Sequence, residues 1–385
     1  MAKRRKVALI YKYREDWIGG TYYIHNLIRA LNLIEDEKKP LLLVISDEHD
    51  FKELQKELEY PYLSNVPFDY QYNIIQRAAN KVSRKVLGHK IFDKERAIAD
   101  ISFPVLSERQ FSYGKRKLFW IADFQDYHLP LFFSQEEIDV RKTFRDFVVN
   151  KGKTIVFSSE SAKKDFNEIY PHNQLKQFVL PFAVIHPETL HVKLEEVVAK
   201  YKIPDQYFIC SNQFWKHKNH HVILRAINYL KNRGIVVHVV FTGKETDYRD
   251  PLYFGTFKSM AESLGINNNI SILGFISRQD QLSLIRNAIA VIQPSLFEGW
   301  STVIEDAKAI GVQIITSEIP VHKEQLQQYQ MKEFFSPNDE IELAECMTNL
   351  IENKSERAYH FYDYEKDVFQ FGRTFISILD LVEAN

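Results

Sequence analysis

Cysteine is almost missing: the 385 residues hold two, Cys210 and Cys346. Two thiols cannot build a disulfide framework, and neither has a Cys-x-x-Cys or metal-ligand spacing, so a reducing compartment fits best. Neither sign of charge is in excess. Fifty Lys and Arg against 51 Asp and Glu leave a net charge of -1, without the basic surplus that sequence-independent nucleic-acid binding needs. No nucleic-acid partner is expected. No apolar run approaches the ~18 residues of a membrane span, so membrane contact, if any, is expected to be peripheral. The basic start, Met1 to Lys6, has the character of a signal peptide's first region, but the apolar run behind it, Val7 to Ile10, is too short for that peptide's core. A cytoplasmic location, extending to the inner face of the membrane, is the expectation. The chain also lacks a Gly-x-Gly-x-x-Gly fingerprint and a P-loop, which takes the main sequence support from nicotinamide and ATP chemistry.

What is present is repetition of one pattern. Short apolar or β-branched runs alternate with longer amphipathic stretches, the mark of parallel sheets covered by helices. Strands are expected at Val7–Ile10, Leu41–Ile45, Ile101–Val105, Leu118–Ala122, Thr154–Ser158 and Gln177–Leu180. A second series follows at Tyr207–Cys210, Val236–Phe241, Ile270–Leu273, Ala290–Gln293 and Gln313–Thr316. Between the series lies Pro181 to Pro187, a Pro-bracketed segment suited to a domain boundary. Length agrees, since a single core rarely exceeds roughly 250 to 300 residues. Residues 72 to 90 form a basic helical stretch with Arg77, Lys81, Arg84, Lys85 and Lys90. It reads as a solvated helix face or as a surface for anionic membrane.

In open parallel sheets ligands bind at the carboxyl ends of strands, and four strand-to-helix junctions are chemically unusual. The first, Trp17 to Thr21, carries Gly19 and Gly20, which let backbone approach a ligand at a helix N-terminus. Asp123, Gln125, Asp126 and His128 follow the strand that ends at Ala122. They suit sugar hydroxyls or a general base, and equally suit loop and cap hydrogen bonds. The third junction, Ser211 to His221, holds Asn212, Gln213 and the lysines Lys216 and Lys218 before a helix, a credible diphosphate site. His217, His220 and His221 lack a carboxylate or cysteine at ligand spacing, and are expected to be solvated or ligand-facing rather than metal-bound. The fourth, Pro294 to Gly311, puts Glu298 in a loop and a helix from about Thr302 to Gly311. Thr302 and Glu305 have the spacing of a capping box, with Glu305 turned away from the apolar stripe. Asp306, at the edge of that stripe, is expected to face a cleft together with Glu298.

These residues resemble the retaining nucleotide-sugar glycosyltransferases of family 4, with their "glycosyl transferases group 1" C-terminal domain. Ser295 to Gly311 is similar to the family's Glu-x7-Glu region, with Glu298 first and Asp306 second. The Gly19-Gly20 loop, the Lys218-Asn219-His220 segment and Gly274 fall in the family's order. The resemblance implies a GT-B fold of two Rossmann-like α/β domains facing a central cleft. An acceptor-binding domain would occupy residues 1–185, a nucleotide-sugar domain 186–360, and a helix over 361–385 would cross back to the first. It implies Glu298 on the donor sugar, Asp306 on the ribose, Lys218 on the diphosphate, and Gly299, Trp300, Ser301 and Thr302 around sugar and phosphates. Gly19, Gly20, Asn212, Gln213 and Gly274 complete the donor set, with Asp123, Gln125, Asp126 and His128 on the acceptor side. Catalysis falls to Glu298 and Lys218, with no nucleophile and no metal or other cofactor. The partners are a nucleotide diphosphate sugar and a glycan or lipid-linked acceptor. Two departures stand out: Gln213 replaces the family's arginine five residues before Lys218, and the second acid is Asp. A GT-B epimerase, a phosphorylase and an inactive carbohydrate-binding homologue are the competing expectations.

Overall fold

Apolar runs without polar alternation suit strands covered on both faces, and the chain uses them so. A computed structural model describes residues 4–13, 18–68, 73–88, 91–92, 97–107, 110, 113–186, 194–352 and 362–384; Trp17, Lys90 and Pro187 lie outside them. The first sheet contains β1 (Lys6–Ile10), β2 (Leu41–Ile45), β3 (Leu63–Val66), β4 (Ala99–Val105), β5 (Gly114–Ile121), β6 (Thr154–Phe157) and β7 (Lys176–Val179). Its order is β3-β2-β1-β4-β5-β6-β7. The second contains β8 (Phe208–Ser211), β9 (Val239–Thr242), β10 (Ile270–Ile272), β11 (Val291–Gln293), β12 (Ile314–Ser317) and β13 (Lys332–Phe335), ordered β10-β9-β8-β11-β12-β13. Every strand pair is parallel. Each order reverses once, between β1 and β4 and between β8 and β11, and at such a switch point adjoining loops diverge and leave a crevice.

Helices of the first half are α1 (Ile18–Asn32), α2 (Glu48–Glu57), α3 (Ile74–Leu87), α4 (Gln125–His128), α5 (Gln135–Lys151) and α6 (Glu160–Ile169). Those of the second are α7 (Leu194–Tyr201), α8 (His220–Asn232), α9 (Tyr253–Ser263), α10 (Arg278–Asn287), α11 (Thr302–Ile310), α12 (Pro320–Gln325) and α13 (Glu340–Glu352). The last helix, α14 (Glu365–Glu383), returns to the first sheet. Its Phe371 and Phe375 join the core of Val7, Leu9, Leu27 and Leu31, with Phe371 edge-on to Tyr23 at 5.6 Å and Phe375 at 5.2 Å from Phe103. Gly372 permits that approach, because a Cβ there would stand 2.8 Å from the Ala30 carbonyl oxygen.

All the expected strands form, with ends shifted by up to four residues; Val236 lies outside β9 and is exposed. Sequence reading missed β3 and β13. Both are edge strands, with the sequences Leu-Ser-Asn-Val and Lys-Glu-Phe-Phe. An edge strand shares one side with solvent and needs no continuous apolar run.

Candidate active site

Polar residues stand at the carboxyl ends of the central strands of the second sheet. Ser211, Thr242, Gln293 and Thr316 are all buried. Such groups must be satisfied, and they satisfy one another. The Ser211 and Thr242 hydroxyls lie 2.7 Å apart, Asn212 Nδ2 donates to Gln293 Oε1 at 2.8 Å, and the Thr316 hydroxyl donates to the Gln293 carbonyl at 3.0 Å. They form a polar floor beneath a cleft of about 1020 Å3 that opens between the two sheets.

Lys218 ends a single 3-10 turn, Lys216–Lys218. The next residue, Asn219, takes a left-handed conformation (φ 54°), and its amide donates to the carbonyls of Pro294 at 3.2 Å and Pro337 at 2.6 Å. Leu296 N donates to the His217 carbonyl at 2.8 Å. These bonds tie the lysine turn to the loop that carries Glu298. There Lys218 Nζ donates to Glu298 Oε1, which also accepts from Gln293 Nε2 at 2.8 Å and Ser295 Oγ at 2.7 Å. Burial pushes the Glu298 carboxyl up, but Lys218 and these hydrogen bonds more than reverse that and hold it below the usual range. Glu298 is therefore an ionised acceptor with its three bonds on Oε1.

Asp306 lies on α11 and is wholly buried. His186 Nε2 donates to its Oδ1 at 2.9 Å, Arg278 Nη2 donates to the same oxygen, and Oδ2 accepts no hydrogen bond among the described residues. Burial raises this carboxyl, while Arg278 and then His186 bring it below the ordinary value. Arg278 lies 5.3 Å over the Tyr22 ring of α1. The start of α11 faces the start of α1, since a Cβ on Gly19 would come 3.8 Å from the Thr302 hydroxyl. Two helix N-termini thus add partial positive charge to one region of the cleft.

Of the sequence-derived donor residues, Gly19, Gly20, Asn212, Gln213, Lys218, Glu298, Gly299, Trp300, Ser301, Thr302 and Asp306 line the cleft, as do Asp123 and Gln125. Gly274 does not; its carbonyl accepts from Gly243 N at 2.8 Å, and its neighbour Phe275 lines the cleft instead. Two acceptor-side residues are also corrected. Asp126 is buried in a bidentate pair with Arg145, at 2.9 and 2.8 Å. His128 lies outside the lining, paired with Asp165 at 2.9 Å and stacked on Phe297 with ring centres 5.1 Å apart. The capping box is wrong as well: Ser301, not Thr302, caps α11. Glu305 does not face water, because the 362–367 segment and α12 cover that side of α11. It accepts from Tyr364 at 2.6 Å, Gln325 at 2.7 Å and Lys308 at 3.2 Å. His217 and His220 are buried rather than solvated, although His217 lines the cleft; His221 is half-buried. Burial lowers His220 to about 3, with smaller pushes from His221 and Lys218.

Sequence reasoning missed His186, Arg278 and Arg249. Arg278 follows Ser277, the cap of α10, and a polar residue at the strand-to-helix junction after β10 was a usable signal. His186 lay in the segment read as a boundary. Arg249, in the irregular loop after β9, carried no signal; its guanidinium donates to Gln125 at 3.0 Å and lies 5.3 Å over the Trp215 ring. With Arg278 it brings cations to a cleft where Gln213 supplies none. Among the described residues, Asp47, His49 and Asp50 bring three potential metal ligands together, but none of them lines the cleft.

Two Rossmann-like parallel sheets facing one cleft, with a C-terminal helix packed on the first, define a protein of the GT-B class. Residues 195–367, most of the second domain, match the family described as "Glycosyl transferases group 1". The O-antigen chain mannosyltransferase RfbU of Salmonella typhimurium is 25% identical over 152 residues, which span 39% of each protein. The chain thus matches well under half the length of that relative. Two solved structures share the fold almost end to end. A glycosyltransferase from Rickettsia africae is 17% identical with a TM-score of 0.64, covering 99% of this chain and 96% of its own. HepE from Anabaena, solved with UDP and glucose, is 13% identical with a TM-score of 0.68, covering 98% of this chain and all of its own.

Proposed function

We propose that the protein is a retaining hexosyltransferase-type glycosyltransferase (EC 2.4). It moves a sugar from a nucleotide diphosphate sugar to a hydroxyl of a glycan or lipid-linked acceptor, in cell-surface polysaccharide or lipopolysaccharide synthesis at the cytoplasmic membrane face. The observation that carries this reading is the pair of ionised, buried carboxylates on opposite ends of one loop-helix unit. Asp306 keeps one oxygen without a donor, as a ribose hydroxyl requires, and Glu298 is held rigidly as an acceptor for sugar hydroxyls. The O-antigen mannosyltransferase likeness supports the glycan class.

In the proposed reaction the bond from the anomeric carbon to the donor phosphate oxygen breaks and a bond to the acceptor oxygen forms on the same face. The acceptor proton passes to the leaving phosphate. Charge developing on that phosphate needs fixed cations in a water-poor site. Lys218 and the facing N-termini of α1 and α11 supply them, so no metal is required. Glu298 stays ionised and therefore acts by hydrogen bonding rather than as a proton donor. Incubation with UDP-, GDP- and dTDP-sugars and a glycan acceptor, with nucleotide release and product anomer measured, tests the proposal. Transfer with retention from one donor is expected. An epimerised nucleotide sugar, or binding of glycan with no transfer from any donor, contradicts it.

A further inference from the structure

A surface helix ordinarily turns an apolar stripe to the core and polar residues to water. In α3 the arrangement is inverted. Its two buried residues are Asn80 and Ser83, while Ile74 (82% exposed), Ile75 (77%) and Val86 (74%) stand in water together with Val82. At 100° per residue these four apolar residues share one face with Ala78. Arg77, Lys81 and Arg84 run along its flank, Lys85 stands within its Ile74 edge, and α3 contains no acidic residue. The inverted helix is firmly built at both ends. Asn73 and Gln76 form a reciprocal capping box, and Gly88 closes the C-terminus in a left-handed conformation. The Asn80 amide holds both backbone polar groups of Phe92 at 2.9 Å. That clip sets Ile91 and Phe92, both exposed, beside the helix.

The geometry points to α3 and the Ile91-Phe92 clip as the surface by which the first domain docks on an anionic lipid bilayer. The apolar face enters the interfacial zone and the basic row meets headgroup phosphates. Charge selects this occupant. Isoleucines and valines set beside four cations match acyl chains beneath anionic headgroups, whereas a second copy of the same face would bring like charges together. No helix among the described residues is long and apolar enough to cross a membrane, so the contact is superficial. It goes beyond the transfer reading, and vesicle binding is measured without turnover.

The test is sedimentation of the full chain with vesicles of phosphatidylcholine alone or mixed with phosphatidylglycerol. Wild-type protein should favour the anionic vesicles by roughly tenfold or more, and added salt should weaken the binding. The double variants Ile75→Glu/Val82→Glu and Lys81→Glu/Arg84→Glu should each lose roughly tenfold. These positions are exposed, so circular dichroism and nucleoside diphosphate binding should be unchanged. Wild-type protein that ignores anionic vesicles would overturn the proposal, and so would variants that bind as wild type does. Self-association, or capture of an acidic protein, that depends on Ile75 and Val82 while vesicles are left unbound would overturn it in favour of a protein partner.

Discussion

Glu298 and Lys218 form the chemical centre of the cleft, and each can be altered without emptying it. Glu298→Gln keeps an oxygen for the Gln293, Ser295 and Lys218 donors but removes the charge. The variant is expected to fold and to lose most transfer activity, because charge-assisted bonds in a dry site are stronger than neutral ones; wild-type turnover would contradict the assignment. Lys218→Ala should lower kcat/KM by about 2 kcal/mol of transition-state stabilisation or more, roughly 30-fold, with retained folding. Glu298 was legible in the sequence because a lone acid in a strand-to-helix loop has few structural reasons to be there. Arg249 was not legible, since its place depends on Trp215 and Gln125, distant in sequence and brought together only by the fold.

At the level of elements, α11 shows where helical-wheel reasoning fails. Angular position separates Glu305 from Asp306, yet both are buried, because a wheel knows one helix and not the chain that later folds across it. Glu305 accepts from Lys308 and Tyr364 in a dry interface, so Glu305→Ala is expected to cost about 3 kcal/mol of stability, near the lower end for a broken buried ion pair, since Asp367 still holds Lys308 at 3.0 Å. Chemical denaturation measures it, and a loss near 1 kcal/mol would mean that this buried cluster contributes no more than an exposed contact. α8 offers a pH test. His220 stacks on Phe214 with ring centres 4.5 Å apart and is held neutral to about 3 against an ordinary 6.5. Below that ordinary value the unfolded chain takes up a proton that the folded chain refuses, so stability falls as pH falls. Between pH 7 and pH 5 this residue accounts for about 2 kcal/mol of that fall. The drop should be smaller by that amount in His220→Phe, and identical curves would place the acid sensitivity elsewhere. The buried strands of both sheets were readable as apolar runs; edge strands β3 and β13 were not, because half their surroundings are solvent and their pattern is that of a loop.

For the whole molecule, the loops after β5 and β11 bring the two domains into close approach at a glycine in the cleft wall. A Cβ on Gly299 would stand 2.7 Å from the Ala122 carbonyl oxygen and 2.9 Å from Asp123 Cβ, both on the first domain. Gly299→Ala should therefore hold the domains apart, cutting kcat/KM by about 100-fold, the scale of an ångström misplacement in a closed site. Scattering should show a larger radius of gyration with little change in melting; unchanged activity would mean that closure does not use this contact. The second domain was the more legible of the two, since its donor loops follow strands of strong apolar pattern, while in the first domain Gly19, Gly20, Asp123 and Gln125 could be read from sequence but Tyr22 could not, because its place depends on Arg278 from the other domain. The central claim is that this cleft holds a nucleoside diphosphate with protein cations and two ionised carboxylates. Calorimetric titration with UDP, GDP and dTDP in excess EDTA tests it most directly, on wild type and Asp306→Ala. One of the three should bind wild-type protein without metal, and Asp306→Ala should weaken that binding by roughly tenfold or more. No binding, binding only after Mg²⁺ is restored, or equal affinity in the variant would contradict it.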